Sequence, residues 1–138
     1  MNRIKLTNND DLGRVREGRL PADRARSLEL DALVDTGAVA LALPEDVVQA
    51  LGLTIIGAQS ARDALGRRVT LQIAASVRFE MLGRWMTCDA FVLPVGATPL
   101  IGQIQLEMLD LVVDPRAQEV RVNPESPDFP VVDFMACA

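Results

Sequence analysis

The stretch ALVDTGAVALALP, residues 32–44, limits the folds open to this chain more than any other part of it. Two apolar segments flank an Asp-Thr-Gly tripeptide, and Asp35 is the one acidic residue within the stretch. Glycine permits a tight turn that a residue with a side chain resists. The pattern therefore predicts two strands joined by a tight turn, with residues 39–43 forming a central strand. Backbone amides and the Thr36 hydroxyl are available to fix the carboxylate as a positioned acid or base, although such a turn needs no function.

The composition is that of an ordinary globular protein. The chain has 138 residues, a single-domain length, and 49% of them are hydrophobic. A formal net charge of -5 disfavours nucleic acids and anionic membranes as partners, because both require a basic surface. The arginines between residues 14 and 26 alternate with acidic residues, which predicts a solvated strand face.

Histidine is absent from the sequence, which excludes Ser-His-Asp and Cys-His catalysis and disfavours a zinc site. Asp89, Asp110 and Asp114 are not spaced as metal ligands, so we expect neither a metal nor a cofactor. The amino terminus lacks the apolar core of a signal peptide, and no apolar run reaches the length of a membrane span. Two cysteines are too few for a disulfide scaffold, and these features together predict a cytoplasmic protein without a membrane partner.

In several short segments apolar residues occupy every second position, which predicts a strand-rich chain. The period changes at residues 44–53, where a leading proline, two acidic residues and a closing glycine predict a short helix. A second short helix is expected from about Gly102. The remaining segments predict strands at residues 3–7, 13–20 and 27–34, two long hairpins within 53–95 that break at 63–66 and after 83, and a strand-turn-strand unit at 109–122.

Two motifs in this order resemble the retropepsin-like (retroviral-type) aspartic proteases in their single-domain bacterial form. The first is LVDTGA at residues 33–38, and the second is PLIGQIQLEML at residues 99–109. The resemblance implies a mainly β, closed-barrel-like acid protease fold with a flap hairpin and one or two short helices. It also implies that Leu100, Ile101 and Gly102 form a supporting strand that threads beside the Asp-Thr-Gly turn.

The resemblance implies an aspartic endopeptidase in which Asp35 is the catalytic residue. Such chemistry needs two aspartates, and this chain has one such motif, so the second must be Asp35 of a second copy in a homodimer. Thr36, Gly37 and Ala38 would complete the active-site loop, with the Thr36 hydroxyl bonding across to the opposite turn. Ala38 offers a methyl group where a hydroxyl would lower the pKa of the aspartate, so we expect an activity optimum at only mildly acidic pH.

The hairpin tip around Asp63, Ala64, Leu65 and Gly66 resembles the flap that closes over a bound peptide. It has fewer glycines than viral flaps, and an ordinary exposed hairpin is the alternative. We expect residues 1–123 to be the protease domain and residues 124–138 to be a tail. The tail could complete a dimer sheet, pack on its own protomer, occupy a groove or be disordered, and its apolar character favours a sheet or groove contact.

Two other functions stay open at this point. One is a non-catalytic dimeric module on the same fold that binds peptides by strand addition. The other is a small β domain in which Asp-Thr-Gly is only a turn. The intact Asp-Thr-Gly-Ala sequence and the matching Leu-Ile-Gly favour the protease.

Overall fold

The computed structural model describes residues 1–117 and 119–133, which contain nine strands, three short α-helices and one 3-10 helix. In chain order they are β1 (Asn2–Asn8), α1 (Asn9–Arg16), a 3-10 helix (Ala22–Arg24), β2 (Ser27–Val34), β3 (Ala42–Pro44), α2 (Glu45–Leu51), β4 (Thr54–Arg62), β5 (Arg68–Met81), β6 (Arg84–Leu93), β7 (Leu100–Ile101), α3 (Gln103–Met108), β8 (Leu111–Asp114) and β9 (Glu119–Val122).

Six of the strands close into a barrel in the order β1-β2-β7-β3-β6-β5, because β5 also pairs with β1. The pairs β2–β7 and β3–β6 are parallel, and the other pairs in the barrel are antiparallel. Strand β4 extends the sheet from β5 and pairs with no other of the nine described strands, while β8 and β9 form a separate hairpin. This arrangement confirms the mainly β, closed-barrel fold expected from the sequence.

The barrel interior is filled by aliphatic side chains and one phenylalanine. Burying one large aliphatic side chain contributes about 1.5–3 kcal/mol, so this cluster is the main source of stability. The largest apolar side chains with essentially no exposure are Phe79, Ile4, Leu6, Leu41, Leu43, Leu51, Ile101, Leu109 and Val77.

Helix α1 replaces the strand predicted at residues 13–20, so that prediction was wrong. The Asn8 side chain caps the helix by accepting a hydrogen bond from the Asp11 backbone N–H at 2.9 Å. Acidic residues occupy the first turn and arginines the last, which complements the helix dipole. The prediction that these arginines form a solvated strand face is also wrong, because Arg14 lies on this helix and Arg26 pairs with the buried Asp11.

Strand β3 is shorter than the strand predicted for residues 39–43. Val39 and Ala40 belong to the loop after the tight turn, and the Val39 side chain is 67% exposed. The predicted helix at 44–53 is confirmed as α2, which ends at Gly52 with φ of 65°. The two hairpins, the helix after Gly102 and the β8–β9 unit are also confirmed.

Candidate active site

Asp35 follows directly on the last residue of β2, at the point where this strand runs parallel to β7. The Asp35 backbone N–H donates to the carbonyl of Ile101 at 3.1 Å, and the Leu33 N–H donates to that of Pro99 at 2.9 Å. These two bonds fix the backbone that enters the turn. The position of Asp35 is therefore set by a barrel strand and not by a free loop.

The turn itself orients the Asp35 side chain. The Gly37 backbone N–H donates to Asp35 Oδ1 at 2.9 Å, and the Ala38 N–H donates to the Asp35 carbonyl at 3.0 Å. A Cβ at position 37 would lie 3.2 Å from Oδ1, closer than an ordinary contact. Asp35 is half-buried while Thr36 and Gly37 are exposed, so the carboxylate is held by the backbone and open to solvent.

Of the residues predicted to form a supporting strand, Leu100 and Ile101 form β7, and Gly102 follows it as the N-cap of α3. Strand β7 lies between β2 and β3, the strands before and after the turn. Beyond it, the N–H of Gln103 donates to the carbonyl of Ala38 at 2.8 Å, and that of Ile104 donates to Val39 at 2.9 Å. The residues before the turn and those after it are thus bonded to one segment, residues 99–104.

The predicted flap residues form the tip of the β4–β5 hairpin, away from the turn in sequence and on a different strand pair. Asp63 closes the tip by accepting from the backbone N–H groups of Leu65 and Arg67, each at 2.9 Å, and from Arg67 Nε at 2.9 Å. These bonds, with that from the Arg67 backbone foremost, lower the pKa of Asp63. Gly66 supplies the positive φ of 78° that the turn requires, and Ala64 and Leu65 are exposed beside it.

A cavity of about 230 Å³, here called the groove cavity, lies between the loop and the stem of this hairpin. The sequence did not reveal this cavity, because its lining comes from five separate segments of the chain. The one local signal was the apolar residue that follows Leu-Ile-Gly by two positions, Ile104. Its lining residues are Val39, Ala40, Gln59, Ile73, Asp89, Ala90, Phe91 and Ile104.

A second cavity of about 590 Å³, here called the tail cavity, joins the exposed Thr36 to helix α3 and to the end of the described chain. It is lined by Thr36, Gln103, Leu106, Glu107, Asp110, Leu111, Val113, Val131, Val132 and Asp133. The predicted tail contains no strand in its described part, residues 124–133. Residues 134–138 lie outside the described residues, so the interface strand expected there stays a prediction.

The tail is held by a cluster around Asp110, which the sequence did not single out as a binding residue for the tail. Asp110 accepts hydrogen bonds from Asn123 Nδ2 at 2.9 Å, from the Ser126 hydroxyl and from the Val131 backbone N–H at 3.0 Å. These donors, Ser126 foremost, lower the pKa of Asp110. The buried Arg84 donates to the carbonyls of Leu109, Asp110 and Ser126.

Other groups with the chemistry for catalysis are poorly suited to it. Burial raises the pKa of the Cys88 thiol to about 12, so it is not a thiolate nucleophile at neutral pH. Within residues 1–117 and 119–133, no group of three or more His, Cys, Asp or Glu side chains is arranged to hold a metal ion. Over the same ranges, no helix has the length and apolar character needed to cross a membrane.

The fold is similar to a solved protease-like domain. No protein-family model matches the chain, and no curated protein matches it. The crystal structure of the retroviral protease-like domain of Ddi1 from Leishmania major does match, with a TM-score of 0.51 and 14% sequence identity. The match covers 90% of this chain and 89% of that chain. At this identity the likeness establishes the fold alone, and that fold is retropepsin-like.

Proposed function

We propose that the protein is a homodimeric aspartic endopeptidase that hydrolyses peptide bonds with a water activated by Asp35 and by Asp35 of a second copy. The observation that carries the proposal is the Asp35 carboxylate, held by the Gly37 N–H in a turn whose two ends are both bonded to residues 99–104. The retropepsin-like fold supports the same proposal. Residues of the loop after this turn and of the long β4–β5 hairpin line one cavity, the groove cavity.

The chemistry follows from two carboxyl groups that share one proton. Two carboxylates close together repel each other, so one is protonated while the other is ionised, and the pair titrates as a unit. The ionised group takes a proton from the attacking water, and the protonated group donates to the carbonyl oxygen of the peptide. A single protomer supplies one of these groups from its Asp-Thr-Gly turn, so activity requires two copies.

We place the second copy against the face that carries Thr36. Strand β1 pairs with β2 over residues 2–7 and with β5 over residues 5–8 of its own barrel, so most of both its edges is occupied. This pairing leaves little of β1 for an intermolecular sheet, so we assign the contact to other elements. Thr36, helix α3 and residues 131–133 surround the tail cavity on one face, and a two-fold axis there would bring the two turns together.

The substrate in this proposal is an extended peptide between the turn and the β4–β5 hairpin. Strand β4 is exposed along nearly its whole length. Among residues 1–117 and 119–133 it pairs on one side only, so its other edge can bond to a peptide main chain. Closure of the hairpin would exclude water from the dyad.

The test is incubation of the purified protein with a peptide library across pH, comparing wild type with Asp35→Asn. We expect cleavage by wild type and none by the variant, with unchanged circular dichroism because the substitution is isosteric. Equal cleavage by both proteins would overturn the proposal. Sedimentation at the assay concentration is the companion measurement, and a strict monomer that cleaves peptides would also contradict it.

The exposed edge of β4 supports one second candidate, a non-catalytic module that binds peptides by strand addition. Such a module would bind library peptides without cleaving them at any pH. Binding and cleavage measured on the same peptides therefore separate the two functions.

A further inference from the structure

We infer that the groove cavity is a subsite for a basic side chain of the peptide and that Asp89 is the residue that selects it. The inference deepens the proposed function, since it assigns a substrate preference to the same cleft. It concerns binding, and it therefore has a test that does not depend on catalysis.

The groove cavity lies next to the Asp35 turn and below the β4–β5 hairpin. Val39 is four residues beyond Asp35, and Ile104 donates its backbone N–H to the Val39 carbonyl at 2.9 Å. Gln59 on β4 and Ile73 on β5 form the opposite wall, which belongs to the stem of the hairpin. A peptide that extends from the dyad under the hairpin passes this cavity.

The cavity combines apolar walls with one carboxylate. Asp89 and Phe91 share a face of β6 because they are two residues apart, and both line the cavity. The β5–β6 register is irregular between the pair Ala74 and Ala90 and the pair Val77 and Cys88, and such irregularities re-aim side chains. Among the described residues that line the cavity, Asp89 is the one that carries a charge, and it is exposed.

The Asp89 carboxylate is not paired with another side chain among the described residues. Among the described residues it forms neither an ion pair nor a side-chain hydrogen bond, in contrast to Asp11, Asp63 and Asp110. Lysine and arginine side chains carry a long apolar stem and a cationic head. The stem matches the walls formed by Ile73, Phe91 and Ile104, and the head matches Asp89, whereas an acidic side chain would meet a like charge.

The test measures peptide binding to the Asp35→Asn protein, which removes cleavage from the readout. The probes are fluorescein-labelled octapeptides in which arginine, its neutral isostere citrulline or glutamate occupies one position at a time. We expect the arginine peptide to bind about fivefold more tightly than the citrulline peptide at the position that reaches the groove cavity. The preference should weaken as salt is added.

Two further variants assign the preference to one residue. Adding Asp89→Asn to the Asp35→Asn protein should abolish the difference between arginine and citrulline. Adding Asp46→Asn is the matched control, because Asp46 is exposed on α2 outside the lining of the groove cavity, and it should leave the difference unchanged. Three results would each overturn the inference. The arginine and citrulline peptides bind equally at every position, or the preference for arginine persists in the Asp89→Asn protein, or the folded protein binds no peptide.

The outcomes also separate this inference from the proposed function. Asp89-dependent binding of arginine peptides that wild type does not cleave would support the subsite and refute the endopeptidase. Cleavage of peptides without any arginine preference would refute the subsite and support the endopeptidase.

Discussion

Gly102 lies against the backbone of Ala40 so closely that a Cβ at position 102 would be 2.5 Å from the Ala40 carbonyl carbon and nitrogen and 2.6 Å from its Cα. This contact joins the end of β7 to the loop that follows Asp35. No side chain fits there, because the opposing atoms are backbone and cannot rotate away. The glycine of the Leu-Ile-Gly segment is therefore required by the packing of the loop.

Replacing Gly102 with alanine should displace the loop and with it Asp35. We expect a loss of about 1–3 kcal/mol in the free energy of unfolding, as for overpacked interior sites, together with a loss of most of the proposed peptidase activity. Chemical denaturation and a peptide cleavage assay measure the two effects. Gly13→Ala is the control, because its Cβ would meet only an Arg16 side-chain atom at 3.6 Å and alanine favours the helix. A Gly102→Ala protein as stable and active as wild type would refute the role of this contact.

Ala38→Ser should shift the acid side of the pH–activity profile. The Ala38 N–H donates to the Asp35 backbone carbonyl, so residue 38 belongs to the same hydrogen-bonded turn as the carboxylate. A serine hydroxyl can donate to the ionised carboxylate and thereby lower the pKa of the dyad. We expect the acid limb of kcat/KM to move lower by roughly one pH unit. An unchanged profile in a folded and active variant would show that residue 38 does not tune the dyad.

The buried Asp11 should make stability depend on pH in a defined range. The Arg26 side chain, which donates at 2.8 and 3.0 Å, lowers the pKa of Asp11 from 3.8 to about 2. A folded-state pKa below the unfolded value means that this carboxylate stabilises the protein above about pH 4 and that the stabilisation is lost as the pH falls through about 2. Asp11→Asn should lower the free energy of unfolding by about 2 kcal/mol near neutral pH. It should also weaken the fall in that free energy between about pH 4 and pH 2.

Denaturant unfolding of the Asp11→Asn protein from pH 7 to pH 2 measures the effect. Asp10→Asn changes the same charge at an exposed neighbour and should leave the pH dependence close to that of wild type. The explanation fails if the two variants have the same pH dependence.

Asp110→Asn should loosen the tail without unfolding the barrel. Asp110 has a positive φ of 52°, a conformation that asparagine also adopts, but asparagine has one acceptor oxygen for the three donors around it. We expect amide hydrogen exchange across residues 124–133 to become about fivefold faster, as followed by mass spectrometry. Asp128→Asn, an exposed change within the same segment, should have no effect. Equal exchange in both variants would show that Asp110 does not hold the tail.

The features that could be predicted from the sequence are those set by local signals. Helix α2 follows from Pro44 and Gly52, and the strand that threads past the Asp35 turn follows from the order of two short motifs. Helix α1 was missed because the alternation after Gly13 was given more weight than the cap at Asn8 and the acidic first turn.

The groove cavity and the Asp110 cluster could not be predicted in this way. Both are assembled from distant segments, and the donors to Asp110 lie 13 to 21 residues away along the chain. The register irregularity in β5–β6 beside Asp89 depends on the barrel as a whole and has no sequence pattern of its own. Function at such sites follows from tertiary packing, which a single sequence leaves open.

The central claim is that one active site uses Asp35 from two copies of the chain. The most direct test mixes wild type with Asp35→Asn protein in different ratios at constant total concentration. Each mixture is unfolded, refolded and then assayed for peptide cleavage. If both aspartates are required and the copies pair at random, an equal mixture retains about one quarter of the wild-type activity, with a quadratic dependence on the wild-type fraction. Activity that falls in proportion to that fraction, to about one half in the equal mixture, would mean that each copy works alone and would contradict the account.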